Sequence, residues 1–233
     1  MKILVIDDEK PTLSMFRLFL SAYGYEVHTA ENGEQGLAVF RECRPDIVFT
    51  DIRMPGMDGL EVLRRIRNHD AGCQVVIITG HGDMARALDA LDLDASDFIN
   101  KPVERQALNA ALVRAEKRAG RTSAPAFSME AENLGDTVGF RCSGKLSGTE
   151  EHALAGAGDS VAPGSSVRLS VDDDFSIDRQ GLNRLTEFLR AMNEKGCNTS
   201  ITGLSYNYLR FFEMAGIDKL ARLEAAPAEE PGT

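Results

Sequence analysis

The chain has 233 residues, 43% apolar and 27% charged, enough for two domains that each bury their own core. Its four cysteines (Cys43, Cys73, Cys142, Cys197) lack metal or disulfide spacing, no apolar run approaches the roughly 18 residues that a membrane crossing needs, and MKILVIDDEK turns acidic too soon for an export signal, so a reducing, cytoplasmic setting without membrane insertion is expected. The net charge of −10 is spread over both halves, with 15 basic and 19 acidic side chains in residues 1–119 and 11 and 17 in residues 120–233, which argues against nucleic acid as a main partner because phosphate binding needs a basic patch.

In chain order, KILVI, EVHTA, DIVFT, QVVIIT and DFIN read as strands. The first, third and fourth are nearly all apolar, the pattern of a parallel sheet covered on both faces. Amphipathic stretches begin near Thr12, Gly33, Leu60 and Met84, and a fifth follows from Val103 with Leu108, Ala111, Leu112 and Ala115 on one stripe. Five strands alternating with five helices predict a doubly wound, five-stranded parallel α/β domain over residues 1–119.

Residues 120–133 (GRTSAPAFSMEAEN) are poor in β-branched side chains and read as a linker. A second, smaller α/β domain with a mixed sheet is expected over residues 134–224. TVGFRC, SVRLSV and TSITGL are its strands, and a helix-start signal stands at Ser147 or Thr149. A helix with Leu182, Leu185, Phe188, Leu189 and Met192 on one face stops at Gly196, and Ser205 is placed to cap SYNYLRFFEMAG. Residues 225–233 read as a disordered tail.

Asp7 and Asp8 follow the first strand and Asp51 ends the third. In an open α/β sheet the carboxyl ends of neighbouring strands form the ligand crevice, so these carboxylates converge. They repel one another unless a hard cation neutralises them, and Mg²⁺ suits oxygen donors. The fourth and fifth strands deliver Thr79 and Lys101 to the same rim. A carboxylate nucleophile, a metal, an ammonium and a hydroxyl make a phosphoryl-transfer set. Each residue alone also has a plain structural role, as a helix-start acid, a strand end or a solvated charge.

The segments VIDDE, DIRMPGMDG, IITG and DFINKP resemble the response-regulator receiver domain, the CheY-like fold. The resemblance implies that Asp51 is the phosphoacceptor and that Asp7, Asp8, Asp51 and the backbone carbonyl of Arg53 hold Mg²⁺. It also implies that Thr79 and Lys101 bind the phosphoryl oxygens, that Lys101-Pro102 is cis, and that Phe98 is a switch aromatic that turns inward on phosphorylation. A histidine kinase or phosphotransfer protein would be the donor. The receiver would catalyse its own phosphotransfer and dephosphorylation, not an enzymatic reaction on an outside substrate. Arg53 and His81 are expected to flank the phosphoryl group and tune its lifetime. A homodimer through the fourth helix, fifth strand and fifth helix is possible within such a family, with Glu116, Lys117 and Arg118 either in that contact or solvated.

In the second half, Gly181 to Asn193 and Ser205 to Ala215 are separated by TSITG instead of the short turn of a helix-turn-helix, which argues against DNA. Asp172, Asp173, Asp174 and Asp178, with His152 nearby in sequence, match no metal spacing and read as a solvated acidic loop. SGKLSGTEEHAL, IDRQGL and LRFFEMAGIDKL resemble the STAS domain of anti-sigma-factor antagonists. That resemblance implies an anti-sigma factor or kinase-fold partner and a binding surface at Asp178, Arg179, Gln180, Gly181 and Asn183. The family's phosphorylated Ser or Thr after the aspartate is replaced by Arg179 and Gln180, so control by Asp51 is expected instead, with Ser170 and Ser176 as candidates for a relocated phosphosite. The alternatives are a DNA-binding output and an enzymatic or scaffolding output.

Overall fold

In a computed structural model of the chain, the strands read as near-continuous apolar runs are buried along almost their whole length. The structure describes residues 1–80, 83–121, 125–148, 151–227 and 231, and the chain divides near residue 123 into two units.

In the first unit, β1 (Lys2–Ile6), α1 (Lys10–Ala22), β2 (Glu26–Ala30), α2 (Gly33–Cys43), β3 (Ile47–Asp51), α3 (Gly59–His69), β4 (Gln74–Thr79), α4 (Met84–Asp92), β5 (Asp97–Asn100) and α5 (Arg105–Arg118) alternate. The strands form one sheet in the order β2-β1-β3-β4-β5, with every pairing parallel. Strand order reverses between β1 and β3, and their carboxyl ends open a crevice there. Helices α2, α3 and α4 pack side by side. Helices α1 and α5 are joined through the loop after α1, where Tyr23 Oη donates to Asn109 and Tyr25 Oη to Glu116. Local chemistry sets the helix starts: Asn32 caps α2 by accepting from Gln35 N, and Asp58 caps α3 by accepting from Glu61 N, each at 2.9 Å. Helix α1 begins two residues before the expected Thr12, with Pro11 in its first turn, where a missing N–H costs nothing.

The second unit contains β6 (Ser128–Leu134), β7 (Thr137–Ser143), β8 (Lys145–Leu146), α6 (Glu151–Ser160), β9 (Ser166–Val171), β10 (Ser176–Ile177), α7 (Arg179–Glu194), β11 (Asn198–Leu204), α8 (Tyr206–Met214), a 3-10 turn (Ile217–Lys219) and β12 (Arg222–Ala225). Its main sheet runs β12-β11-β9-β7-β6, antiparallel between β6 and β7 and parallel elsewhere, so it is mixed as expected. The stripe Leu182, Leu185, Phe188, Leu189 and Met192 is buried, and Ser205 caps α8 by accepting from Tyr208 N at 3.3 Å. Two expectations change. The second half of the supposed linker is β6, because β7 supplies a seven-residue ladder that SMEAENL does not advertise by its own composition. Likewise β12 pairs with β11 at the sheet edge and reaches Ala225, the first residue of the supposed tail. Among the described residues no helix is long and apolar enough to cross a membrane.

Candidate functional site

Parallel pairing puts the ends of β1, β3, β4 and β5 at one rim. Ile6 is opposite Thr50, Asp51 opposite Ile78, and Thr79 opposite Asn100. Asp7, Asp51, Thr79 and Lys101 therefore emerge together, each just past or at the last residue of its strand. Asp7 is 0% exposed and Asp51 5%, and carboxylate oxygens of Asp7, Asp8 and Asp51 lie within 4.8 Å of one another. The Asp7 and Asp51 carboxylates are held by backbone: Asp7 Oδ1 accepts from Glu9 N at 2.8 Å, and Asp51 Oδ1 from Arg53 N at 3.3 Å.

Lys101 is the counter-charge. Its Nζ lies 2.6 Å from Asp51 Oδ2, 3.2 Å from Asp7 Oδ2 and 3.9 Å from Glu9 Oε2, while its amide donates to Thr79 O at 2.7 Å. Burial opposes its charge, but Asp51 and then Asp7 outweigh that and raise its pKa. Asp7 shows the reverse balance. Burial raises its pKa, only partly offset by the Glu9 amide and by Lys101. The Lys101-Pro102 peptide is cis.

At this rim the buried Thr79 Oγ1 has no hydrogen-bond partner among the described residues, and the buried Asp7 Oδ2 has only the Lys101 ammonium beside it, 3.2 Å away. An acceptor short of donors beside two further carboxylates fits a hard cation such as Mg²⁺, with Asp7, Asp8 and Asp51 as its protein oxygens. An unsatisfied hydroxyl at the same rim fits an incoming polar group. Receiver domains bind Mg²⁺ at such an acidic pocket, and the donor set here matches that chemistry.

Further contacts brace this rim. Gly59 opens α3 against the backbone at the end of β3, donating to Ile52 O at 3.1 Å. A Cβ on Gly59 would stand 2.2 Å from Asp51 O, so only glycine lets the helix come this close. Asp83 binds Arg53, Nη2 to Oδ2 at 2.6 Å, and Arg86 approaches Asp58 at 3.5 Å, which links the β3–α3 loop to α4. Only spacing across two loops could have signalled these pairs.

Phe98, the expected switch aromatic, is buried at 1% exposure, on the strand against which α5 packs. Two expectations are revised or left outside. Arg118 is not solvated: its guanidinium is buried and donates to Ser96 O, and Glu116 accepts from Tyr25 Oη. His81 and the side chain of His152 lie outside the described residues.

In the second unit, Asp178 caps α7, its Oδ1 accepting from Gly181 N at 2.8 Å, with Lys145 Nζ 4.0 Å from Oδ2. Arg179, Gln180 and Asn183 are exposed on the first turns of α7. Gly181 is not part of that surface. It is buried, and a Cβ there would meet Leu146 O at 2.1 Å, so the glycine serves close packing of α7 on β8. Ser176 is buried and unsuited to modification, whereas Ser170 is half-buried and bonded to Glu132 and Thr202. Asp172 closes its own turn by accepting from the amides of Asp174 and Phe175, and Asp172 and Asp173 are exposed while Asp174 is half-buried.

Comparison with known proteins bears on the first unit. Residues 3–113 match the response regulator receiver domain family. The regulatory protein AtoC of Escherichia coli (strain K12) is 36% identical over 114 residues, which are 49% of this chain and 25% of that protein. The transcriptional regulatory protein AfsQ1 of Streptomyces coelicolor (strain ATCC BAA-471 / A3(2) / M145) is 35% identical over 126 residues, 54% of this chain and 56% of its own length. A solved response regulator receiver domain protein from Clostridium thermocellum is 40% identical and aligns with 50% of this chain and 94% of its own, at a TM-score of 0.48. The chain thus spans a quarter to about half of the curated relatives it matches. With the family match over the sheet whose strand ends carry Asp7, Asp51, Thr79 and Lys101, residues 3–113 of this chain are a response regulator receiver domain.

Proposed function

We propose that the chain works as a two-component response regulator whose phosphoacceptor is Asp51 and whose second unit is a STAS-like protein-interaction domain. The observation that carries the first half is Lys101 Nζ at 2.6 Å from Asp51 Oδ2, beside a second buried carboxylate and an unsatisfied Thr79 hydroxyl. The lysine and the backbone amide of Arg53 fix the Asp51 carboxylate for in-line attack on phosphorus. As the bond from an Asp51 oxygen to phosphorus forms, the phosphorus–nitrogen bond to the donor histidine breaks, and the imidazole keeps the electron pair. Lys101 then neutralises one phosphoryl oxygen and the Thr79 hydroxyl donates to another. Asp7, Asp8, Asp51 and the Arg53 carbonyl would hold Mg²⁺, which would supply charge neutralisation for the transferring group. Hydrolysis returns the aspartate: as water bonds to phosphorus and gives up a proton to solvent, the Asp51 oxygen–phosphorus bond breaks, the carboxylate keeps the electron pair, and inorganic phosphate leaves.

Element order supports the second half. A hairpin, a short strand, α6, β9, an acidic turn, α7, β11 and α8 follow the succession that the STAS resemblance implies. The exposed first turns of α7, with Arg179, Gln180 and Asn183 beside the cap Asp178, are the binding surface we assign to an anti-sigma factor or related kinase-fold partner. A transcriptional output is the second reading, because the matched relatives AtoC and AfsQ1 are named as regulatory proteins. Against it, α7 and α8 are separated by β11, and residues 120–233 carry an excess of acid.

Acetyl phosphate with Mg²⁺ should label the parent and leave Asp51→Asn unlabelled. Affinity capture with beryllofluoride-treated protein, Asp51→Asn and untreated protein tests the output. A kinase-fold partner retained in an Asp51-dependent way supports partner switching, equal retention in all three removes phospho-control, and salt-dependent binding of duplex DNA favours the second reading.

A further inference from the structure

We infer that Asp83 is a positioning residue for phosphoryl transfer, holding the Arg53 guanidinium at the mouth of the Asp51 site and yielding it to the phosphoryl group. The inference rests on Asp51 as the acceptor. Arg53 and Asp83 lie on the loops that follow β3 and β4, strands paired in register, so the two loops leave the sheet as neighbours. The Arg53 amide already donates to Asp51 Oδ1, so its side chain starts from backbone tied to the acceptor. Its guanidinium is nevertheless spent elsewhere, with Nη2 donating to Asp83 Oδ2 at 2.6 Å.

Asp83 stands at the N-cap of α4, where an aspartate ordinarily accepts from the first helical amides. Among the described residues its side chain makes no such capping bond. Its carboxylate pairs first with Arg53, and that bond, with nearby Arg86 as a lesser influence, holds its pKa below the usual value. The Arg53 side chain is 70% exposed and that of Asp83 15%, so the pair is open to water on its arginine side, where it is weakened and can exchange.

A phosphoryl group on Asp51 carries about two negative charges and three acceptor oxygens, against the single charge of Asp83. Arginine binds such groups with paired donors, so the phosphoryl group is the stronger partner. In the resting protein Asp83 masks the cation that would attract a phosphodonor, and in the phosphorylated protein Arg53 changes partner. With acetyl phosphate as donor, an Asp51 oxygen bonds to phosphorus as the phosphorus–oxygen bond to acetate breaks. Acetate leaves with the electron pair, and Arg53 moves no proton.

Initial rates of phosphorylation against acetyl phosphate concentration, read by intact mass on the full chain with Mg²⁺, test this in the parent, Asp83→Ala, Arg53→Ala and the double variant. Freeing Arg53 should lower the half-saturating acetyl phosphate concentration about two- to five-fold in Asp83→Ala, the range of an exposed ion pair, without changing the saturated rate. Asp83→Glu should restore parental behaviour. In the Arg53→Ala background the alanine at 83 should have no effect. An equal shift in both backgrounds would mean that Asp83 acts only as bulk charge and would overturn the inference, as would no shift with Arg53 present. Asp51→Asn labelled at the parental rate would instead overturn the acceptor assignment beneath it.

Discussion

Replacing Lys101 with methionine keeps the aliphatic stem and removes the cation that ion-pairs with Asp51 and Asp7. Breaking a fully buried pair by deleting one partner costs about 3–5 kcal/mol. The Lys101 side chain is 26% exposed, so water screens part of that loss. A cost of about 2 kcal/mol at pH 7 without Mg²⁺ is expected, which at typical slopes lowers the urea midpoint by about 1 M. The pH dependence has a definite sign. Burial already lifts the Asp7 pKa above 3.8, and Lys101 is one of the groups pulling it back. Without the lysine it rises further, so the folded variant retains a proton that the unfolded chain releases. The Asp7 share of the deficit relative to the parent is therefore full at pH values above the folded pKa of Asp7 and shrinks as the pH falls through it. Saturating Mg²⁺ should shrink the deficit at pH 7 as well, by neutralising the same carboxylates. Hydrogen exchange of β3 and β4 peptides in rising urea, on the full chain, reads this unit apart from the second. A deficit that ignores both pH and Mg²⁺ would show that the lysine acts by packing, and no deficit at all would refute the electrostatic account of the site.

Asp7→Asn should unfold at higher urea than the parent without Mg²⁺, because burial disfavours the charge it removes. It should also lose the gain of about 2.7 kcal/mol that the parent shows at a hundred times its Kd for Mg²⁺, both read from urea curves with and without the ion. Gly59→Ala forces a Cβ to within 2.2 Å of Asp51 O, which should cost about 3 kcal/mol in the same assay and slow acetyl phosphate labelling by displacing Asp51. Asp178→Ala removes the cap of α7 and should destabilise the second unit by about 1 kcal/mol, leaving exchange in β3 and β4 unchanged. Burial pushes the Cys73 and Cys142 thiols up to about 12, so both should resist an aromatic disulfide reagent at pH 8 until the protein is unfolded.

The alternation of strands and helices in residues 1–119 and the convergence of Asp7, Asp51, Thr79 and Lys101 were legible in the sequence for a physical reason. Hydrophobic period is a local signal, and in a doubly wound sheet every strand's carboxyl end reaches the same rim, so chain order alone brings these side chains together. The cap at Ser205 and the buried stripe of α7 were legible for the same reason, being set by residues three or four apart. Strands β6 and β12 were not, because an edge strand is defined by the neighbour that completes its ladder. SMEAENL and RLEA gain their shape from β7 and β11. The buried Phe98 and Arg118, the close approach of Gly181 to Leu146, and the grip of Asp83 on Arg53 join residues that sequence spacing does not relate. Sequence alone determined which chemistry arrives at the crevice, since strand ends carry it there. Tertiary structure alone decided how that chemistry is braced, since loops brought side by side by sheet pairing choose their partners by distance and charge.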